Sequence, residues 1–281
     1  MPTRVLVTGA AGLIGTAVLD LLADRGVATT ALVLEATPGL RTDRVVTGDA
    51  TDPAAVERAL RDADAVIHLA AIPNPMSDPG EVVFGRNTLA TFTVLDRAGQ
   101  AGISNCAIAS SYAICGLPFA RTPLRVPYLP MDVRLPLQIT DPYALSKQVD
   151  EATAEMITRR YGTTVVALRL PFVGDADGRL AETAAVFARD PGRGAHDVWS
   201  YLDVRDAARA LVAALTPSTK GCHVVYVAAP ETLAPQPTDE LLDKFHPGVP
   251  RPKFPGRTVP IDLTVAYDLL HFTAEYPFEV R

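Results

Sequence analysis

The chain has 281 residues, 48% of them hydrophobic, and a formal net charge of −6 from 26 basic and 32 acidic side chains. Its size and apolar content suit one large α/β unit with a small lobe. The acidic balance, with no basic block, argues against nucleic acid and anionic membranes as partners.

No apolar run reaches the roughly 18 residues of a membrane span. The cysteines, Cys106, Cys115 and Cys222, are odd in number and have no metal-ligand spacing. No metal is expected, and the cysteine usage points to a reducing cytoplasm. A strand begins almost at the first residue, which leaves no room for a signal peptide. Apolar runs at 4–8, 28–34, 44–47, 65–69, 105–110 and 164–170 alternate with helical stretches. That alternation predicts a parallel sheet with helices on both faces, and ligands at the carboxyl ends of its strands.

The first run, Val5-Leu6-Val7, leads into Thr8-Gly9-Ala10-Ala11-Gly12-Leu13-Ile14-Gly15 and then an amphipathic stretch at 17–22. A turn from strand into helix leaves backbone N–H groups unpaired where the helix dipole favours an anion. Gly9 permits the turn, Gly12 lets a diphosphate approach the backbone, and Gly15 lets the helix pack close to the strand. The bland alternative is a structural turn with no ligand.

Further along, Asp141 reads as an N-cap and Pro142 as the first position of a helix over 143–159, with Glu151, Glu155 and Arg159 on its polar face. Tyr143 and Lys147, four apart, share a helix side. Tyrosine, with a reference pKa of about 10, is a poor base near neutral pH. A nearby ammonium favours its phenolate and suits it to move the proton of an alcohol.

With those two motifs together, the chain resembles the short-chain dehydrogenases/reductases, in their extended branch of NAD-dependent epimerases, dehydratases and dehydrogenases. Further segments match in order: Gly48-Asp49-Ala50, His68-Leu69-Ala70-Ala71, Asn87-Thr88-Leu89, Ser110-Ser111-Tyr112-Ala113-Ile114-Cys115-Gly116, Tyr201 to Ala208, and Thr264 to Phe272. The resemblance implies a Rossmann-type, doubly wound parallel sheet. Residues 1–170 would form most of the dinucleotide-binding core. Residues 171–281 would complete it at about 201–228 and form a small C-terminal substrate lobe.

It further implies Ser111, Tyr143 and Lys147 as the catalytic set. Cofactor contacts fall to Gly9, Ala11, Gly12, Leu13, Ile14, Glu35, Asp49, Ala50, Leu69, Ala70, Ala71, Asn87, Tyr143, Lys147, Pro171 and Val173. Asn87 reads equally well as a buried amide paired with backbone. A homodimer through the helices carrying Asn87 and Tyr143 is expected from the same likeness.

The chain departs from the family pattern in three places. Val33 stands where an acid usually holds the adenosine ribose, with Glu35 two residues on and no arginine at 33–35. This leaves NAD as the expected cofactor and NADP open. Val173 stands near an asparagine that in relatives binds a nucleotide sugar's diphosphate, which favours a compact substrate. Cys115 replaces a usual tyrosine and reads as a small buried hydrophobe.

Substrate contacts are expected from Ile72 and Asn74 in the 72–77 loop, from Ser111 and Tyr112, and from His196, Trp199 and Tyr201 on the opposite wall. The loop from Leu117 to Pro136 holds Arg121, Arg125 and Arg134, which would hold an anion or simply be solvated. Residues 180–189 read as a short helix, Asp206 as the cap of a helix over 207–215, and 224–227 as a strand. The eight prolines from 230 to 260 argue for an extended wrapping segment.

The expected function is hydride transfer at a secondary alcohol or carbonyl of a small polar substrate such as a sugar or sugar acid. The alternatives are a nucleotide-sugar epimerase or dehydratase, and a non-catalytic protein that senses the cofactor.

Overall fold

A computed structural model of the chain describes residues 2–122 and 124–280. In chain order its elements are β1 (Arg4–Thr8), α1 (Leu13–Asp24), β2 (Ala28–Val33), β3 (Arg44–Thr47), α2 (Pro53–Leu60), β4 (Ala65–His68), α3 (Gly80–Gln100), β5 (Asn105–Ser111), α4 (Pro142–Tyr161) and β6 (Thr164–Leu170). There follow β7 (Phe172–Gly174), a π-helical turn (Ala176–Leu180), α5 (Ala181–Arg189), β8 (Tyr201–Asp203), α6 (Val204–Ala213), β9 (Cys222–Tyr226), α7 (Thr238–Phe245) and α8 (Thr264–Leu270).

Seven strands form one parallel sheet in the order β3-β2-β1-β4-β5-β6-β9. Val5 stands opposite Thr29 on β2 and Ala65 on β4. The chain winds outward from β1 to β3, then crosses back to β4. A crevice therefore opens above β1 and β4, where the winding changes direction.

Strand alternation sorts the core onto the two faces of the sheet. Val5, Val7, Ile67, Val166 and Leu168 meet α1 and α6 through Val18, Leu19, Leu22, Ala208 and Leu211. Leu6, Val66, Ile108, Val165 and Ala167 face α2, α3 and α4 through Val56, Val94, Leu95 and Ile157. A third apolar cluster, with Leu129, Met131, Trp199, Tyr201, Leu241, Leu242 and Phe254, builds the lobe above the strand ends. The short parallel pair β7–β8 carries the chain between sheet and lobe. No helix among the described residues is long and apolar enough to cross a membrane.

The helix bearing Tyr143 begins as its sequence dictates. Asp141 accepts the N–H of Ala144 at 2.9 Å, Pro142 occupies the first turn, and Gly162 at φ 74° ends the helix. Such a cap is worth about 1 kcal/mol.

Three local expectations are corrected. The cap of α6 is Asp203, which accepts from Arg205 N at 2.8 Å. Asp206 instead lies inside the helix, fully buried, and takes the N–H groups of Glu275 and Tyr276, tying down the C-terminal segment. Glu151 is not on a solvated face, because the side of α4 that carries it packs against β5 and β6. It accepts from Ser110 at 2.6 Å and from Arg169 at 2.9 and 2.8 Å. Finally, the proline-rich 230–260 segment contains α7, which fits between Pro237 and Pro247 because no proline interrupts it.

Candidate active site

A cavity of about 1030 Å³ runs along the carboxyl ends of β1, β4 and β5, beneath the lobe. At one end lies the glycine turn. Gly9 has φ 62°, and a Cβ there would stand 2.7 Å from the backbone of Leu69 and Ala70. A Cβ on Gly15 would lie 2.4 Å from Gly9 O. Two of the three glycines thus let strand, turn and helix close on one another.

Gly12 is different, since a Cβ there would meet only Gly9 O, at 3.3 Å. It is the N-cap of α1 and supplies no side-chain acceptor, whereas α2 and α4 are capped by Asp52 and Asp141. The first-turn N–H groups of α1 therefore open onto the cavity beside Ala11, Leu13 and Ile14. This is a cradle fitted to a dinucleotide's diphosphate.

At the adenosine side Val33 is buried, and Glu35, exposed, lines the rim. Arg41 is paired with Asp20 and Asp24. Arg44 donates to the carbonyls of Ala59 and Arg61, and neither arginine lines the cavity. Asp49 and Ala50 do line it. Burial works against the charged Asp49 carboxylate, but Thr51 and then Arg86 together outweigh it and hold the carboxyl below its usual range.

Leu69, Ala70 and Ala71 floor the middle of the cavity. His68 beneath them bridges Thr8, at 2.8 Å, and Thr91, at 3.1 Å. Burial, then the charge of Lys147, pushes His68 down to about 3, so it stays neutral. Asn87 reaches the wall, but its side chain is committed. It accepts from Ile72 N at 2.8 Å and donates to Ile72 O and Ser146, both at 3.1 Å. It fixes the loop that carries Ile72, as the backbone-pairing alternative anticipates. Asn74 shapes the same loop by accepting from Met76 N and Ser77 Oγ.

At the other end Ser111, Tyr112, Tyr143, Lys147, Pro171 and Val173 converge. Ser111 Oγ accepts from Ala113 N at 3.1 Å, which leaves its proton to donate. Tyr143 is 9% exposed, lies edge-on to Phe119, and its hydroxyl has no hydrogen bond to the described residues. Lys147 Nζ lies 5.8 Å from the Tyr143 ring centre. It donates to Ala109 O at 2.9 Å and to Asp150 Oδ2 at 3.1 Å. Burial works against its charge, but Asp150, Tyr143 and Glu151 outweigh that and move Lys147 above its ordinary value.

The opposite wall requires corrections. Trp199 does not line the cavity: it is fully buried and donates to Pro191 O at 2.7 Å. Tyr201 is buried too, accepting from Phe278 N. Both are amphipathic aromatics that fill the lobe's core and need one polar partner each. His196 does line the cavity, and its hydrogen bond to Asp197 raises its pKa. Arg121, Arg125 and Arg134 stay outside, with Arg134 held by Asp132. Their loop is a strap of the lobe, pinned by Leu129 N to Pro250 O and Met131 N to Pro260 O.

Lining residues outside the expected set include Thr37, Arg86, Pro118, Phe119, Arg179 and Asp197. The guanidinium of Arg179 lies 4.9 Å over the Phe172 ring, and no carboxylate of the described residues pairs with it. Nothing in its spacing signals this, because the π-helical turn that aims it has no periodic signature.

A glycine turn open to one end of the crevice and a Tyr–Lys pair at the other, with space between for a dinucleotide, suit a nicotinamide-dependent enzyme. Residues 5–229 match the model of the NAD dependent epimerase/dehydratase family, and the chain belongs to that family. It is 32% identical over 275 residues to a 3-diazoavenalumate denitrifying reductase from a Streptomyces species, spanning 92% of this chain and 85% of the relative. It is 29% identical to a uronate dehydrogenase from Pseudomonas putida over 59% of this chain and 60% of the relative. The fold is that of MoeE5 in complex with UDP-glucuronic acid and NAD, with a TM-score of 0.72 and 23% identity over 98% of this chain and 94% of MoeE5.

Proposed function

We propose that the protein is an NAD-dependent dehydrogenase or reductase acting at a secondary alcohol or carbonyl of a compact, carboxylate-bearing substrate such as a sugar acid. The observation that carries the substrate class is Arg179, a cavity arginine without a carboxylate partner. A guanidinium pairs two donors with one carboxylate. His196 stands on the same wall. The uronate dehydrogenase among the relatives supports an acidic sugar.

A nicotinamide held beside Lys147, Pro171 and Val173 would supply or accept the hydride at the substrate carbon. Tyr143 takes the hydroxyl proton during oxidation and returns it during reduction. Ser111 donates to the same oxygen and fixes its position. Lys147 places its ammonium beside the Tyr143 ring and presents its remaining N–H to the cavity. Gly9 and Gly12 would seat the diphosphate, and the Glu35 carboxylate at the rim would accept from the adenosine ribose. Arg41 and Arg44 are engaged elsewhere and the cavity residue Arg86 is paired with Asp49, so no arginine at this side is free for a 2′-phosphate among the described residues, which favours NAD over NADP.

Replacing Arg179 by Met is expected to raise KM for a uronate about tenfold or more, the worth of a charged hydrogen bond. The kcat, and turnover of a neutral aldose, should change little. Steady-state kinetics on both substrates check this, and an unchanged uronate KM would remove the carboxylate reading.

A dehydrogenase exchanges its cofactor every turnover, whereas an epimerase keeps it. Denaturing freshly purified protein is therefore expected to release well under one equivalent of NAD. Near-stoichiometric release would favour the epimerase or dehydratase reading instead.

A further inference from the structure

Lys147 and Asp150 form an ion pair at 3.1 Å that is almost wholly shut away from solvent, with side chains 5% and 1% exposed. Removing two charges from water is costly, and an apolar pair of similar volume often serves stability as well or better. Stability alone therefore gives no reason for this carboxylate. Its position does, because it lies three positions after Lys147 and the two side chains meet on one side of α4.

An ammonium has three donors. One goes to Ala109 O on β5 and one to Asp150, so two fixed acceptors leave a single N–H direction toward the cavity that Lys147 lines. The other titratable groups around the ammonium differ in kind. Tyr143 is the proton carrier. Glu151 is forked onto Arg169 and takes the Ser110 hydroxyl. His68 on β4 is held neutral. Asp150 alone among them is a carboxylate in direct contact with the lysine.

We propose that Asp150 is a positioning residue for the redox reaction: it keeps Lys147 charged inside the protein and aims its free N–H at the bound cofactor and Tyr143. The proposal rests on the dehydrogenase reading for its purpose, but its test does not use turnover.

The chain has four lysines, Lys147, Lys220, Lys244 and Lys253. With lysine labelled by 13C at Cε, an NMR pH titration of the full chain follows all four, and Lys147→Met assigns the signal of interest. In the wild type, Lys147 is expected to titrate above the other three. In Asp150→Asn, which keeps shape and removes charge, its midpoint is expected to fall by about one pH unit or more. Calorimetry should then show the NAD dissociation constant rising several-fold.

An unmoved Lys147 midpoint in Asp150→Asn would overturn the proposal. If that variant does not fold, the wild type decides: a Lys147 that titrates at or below the exposed lysines overturns it equally. A negative result here leaves the role of Tyr143 standing, which a separate substitution tests.

Discussion

Tyr143→Phe is expected to lower kcat by about 10²- to 10⁴-fold, the usual worth of a positioned general acid or base. Folding should be preserved. The hydroxyl makes no hydrogen bond to the described residues, and the ring keeps its edge-on contact with Phe119 at 6.0 Å between centres. NAD affinity should change only slightly, since the diphosphate cradle lies at the other end of the cavity. The decisive comparison is single-turnover hydride transfer in wild type and variant at saturating NAD. Full activity in Tyr143→Phe would end the acid–base reading, and with it the catalytic role of Lys147.

The second large effect concerns stability. Arg169, 5% exposed, forks onto Glu151, 11% exposed, and its guanidinium lies 5.2 Å over the Tyr226 ring. Burial opposes its charge, but Glu151 more than offsets that and holds Arg169 above its ordinary range. Arg169→Met would leave the Glu151 carboxylate buried beside Ser110 with no cation. Such a loss costs about 3–5 kcal/mol, read as a lower denaturant midpoint. Adding Glu151→Leu should recover most of it, because the damage comes from the stranded charge. A single variant that unfolds at the wild-type midpoint would show that the pair carries no such weight.

Much of the site was legible because it is local. A glycine turn, an Asp-Pro helix start and a Tyr–Lys pair four apart are each complete within about eight residues, and backbone geometry alone places their parts together. Strand runs were legible for the same reason. All seven strands of the sheet lie at or within two residues of an apolar run, and the inner strands β1, β4 and β6 are buried on both faces, which admits little else.

The misreadings share another cause. Trp199 and Tyr201 follow the cavity residue His196 in sequence, yet they turn into the lobe core, because a large aromatic gains more there than at a wet wall. Asp203 and Asp206 both suit a helix start. Only the C-terminal segment, 69 residues on, decides that Asp206 serves Glu275 and Tyr276 instead. Glu151 carries the spacing of a solvated helix face, and only the packing of α4 against β5 and β6 makes it a buried partner of Arg169.

From its sequence alone, this protein's class of chemistry was determined. Residues contiguous in the chain form the glycine turn and the Tyr143–Lys147 pair, and short-range backbone geometry fixes both. The tertiary structure decided which charges face the cavity. Arg179, although exposed, stands at the cavity wall, Arg121, Arg125 and Arg134 stay outside, and Asp150 is sealed against Lys147. A side chain's partner depends on which elements pack over it. That is set by burying the apolar faces of the sheet, the helices and the lobe against one another, a result no local spacing encodes.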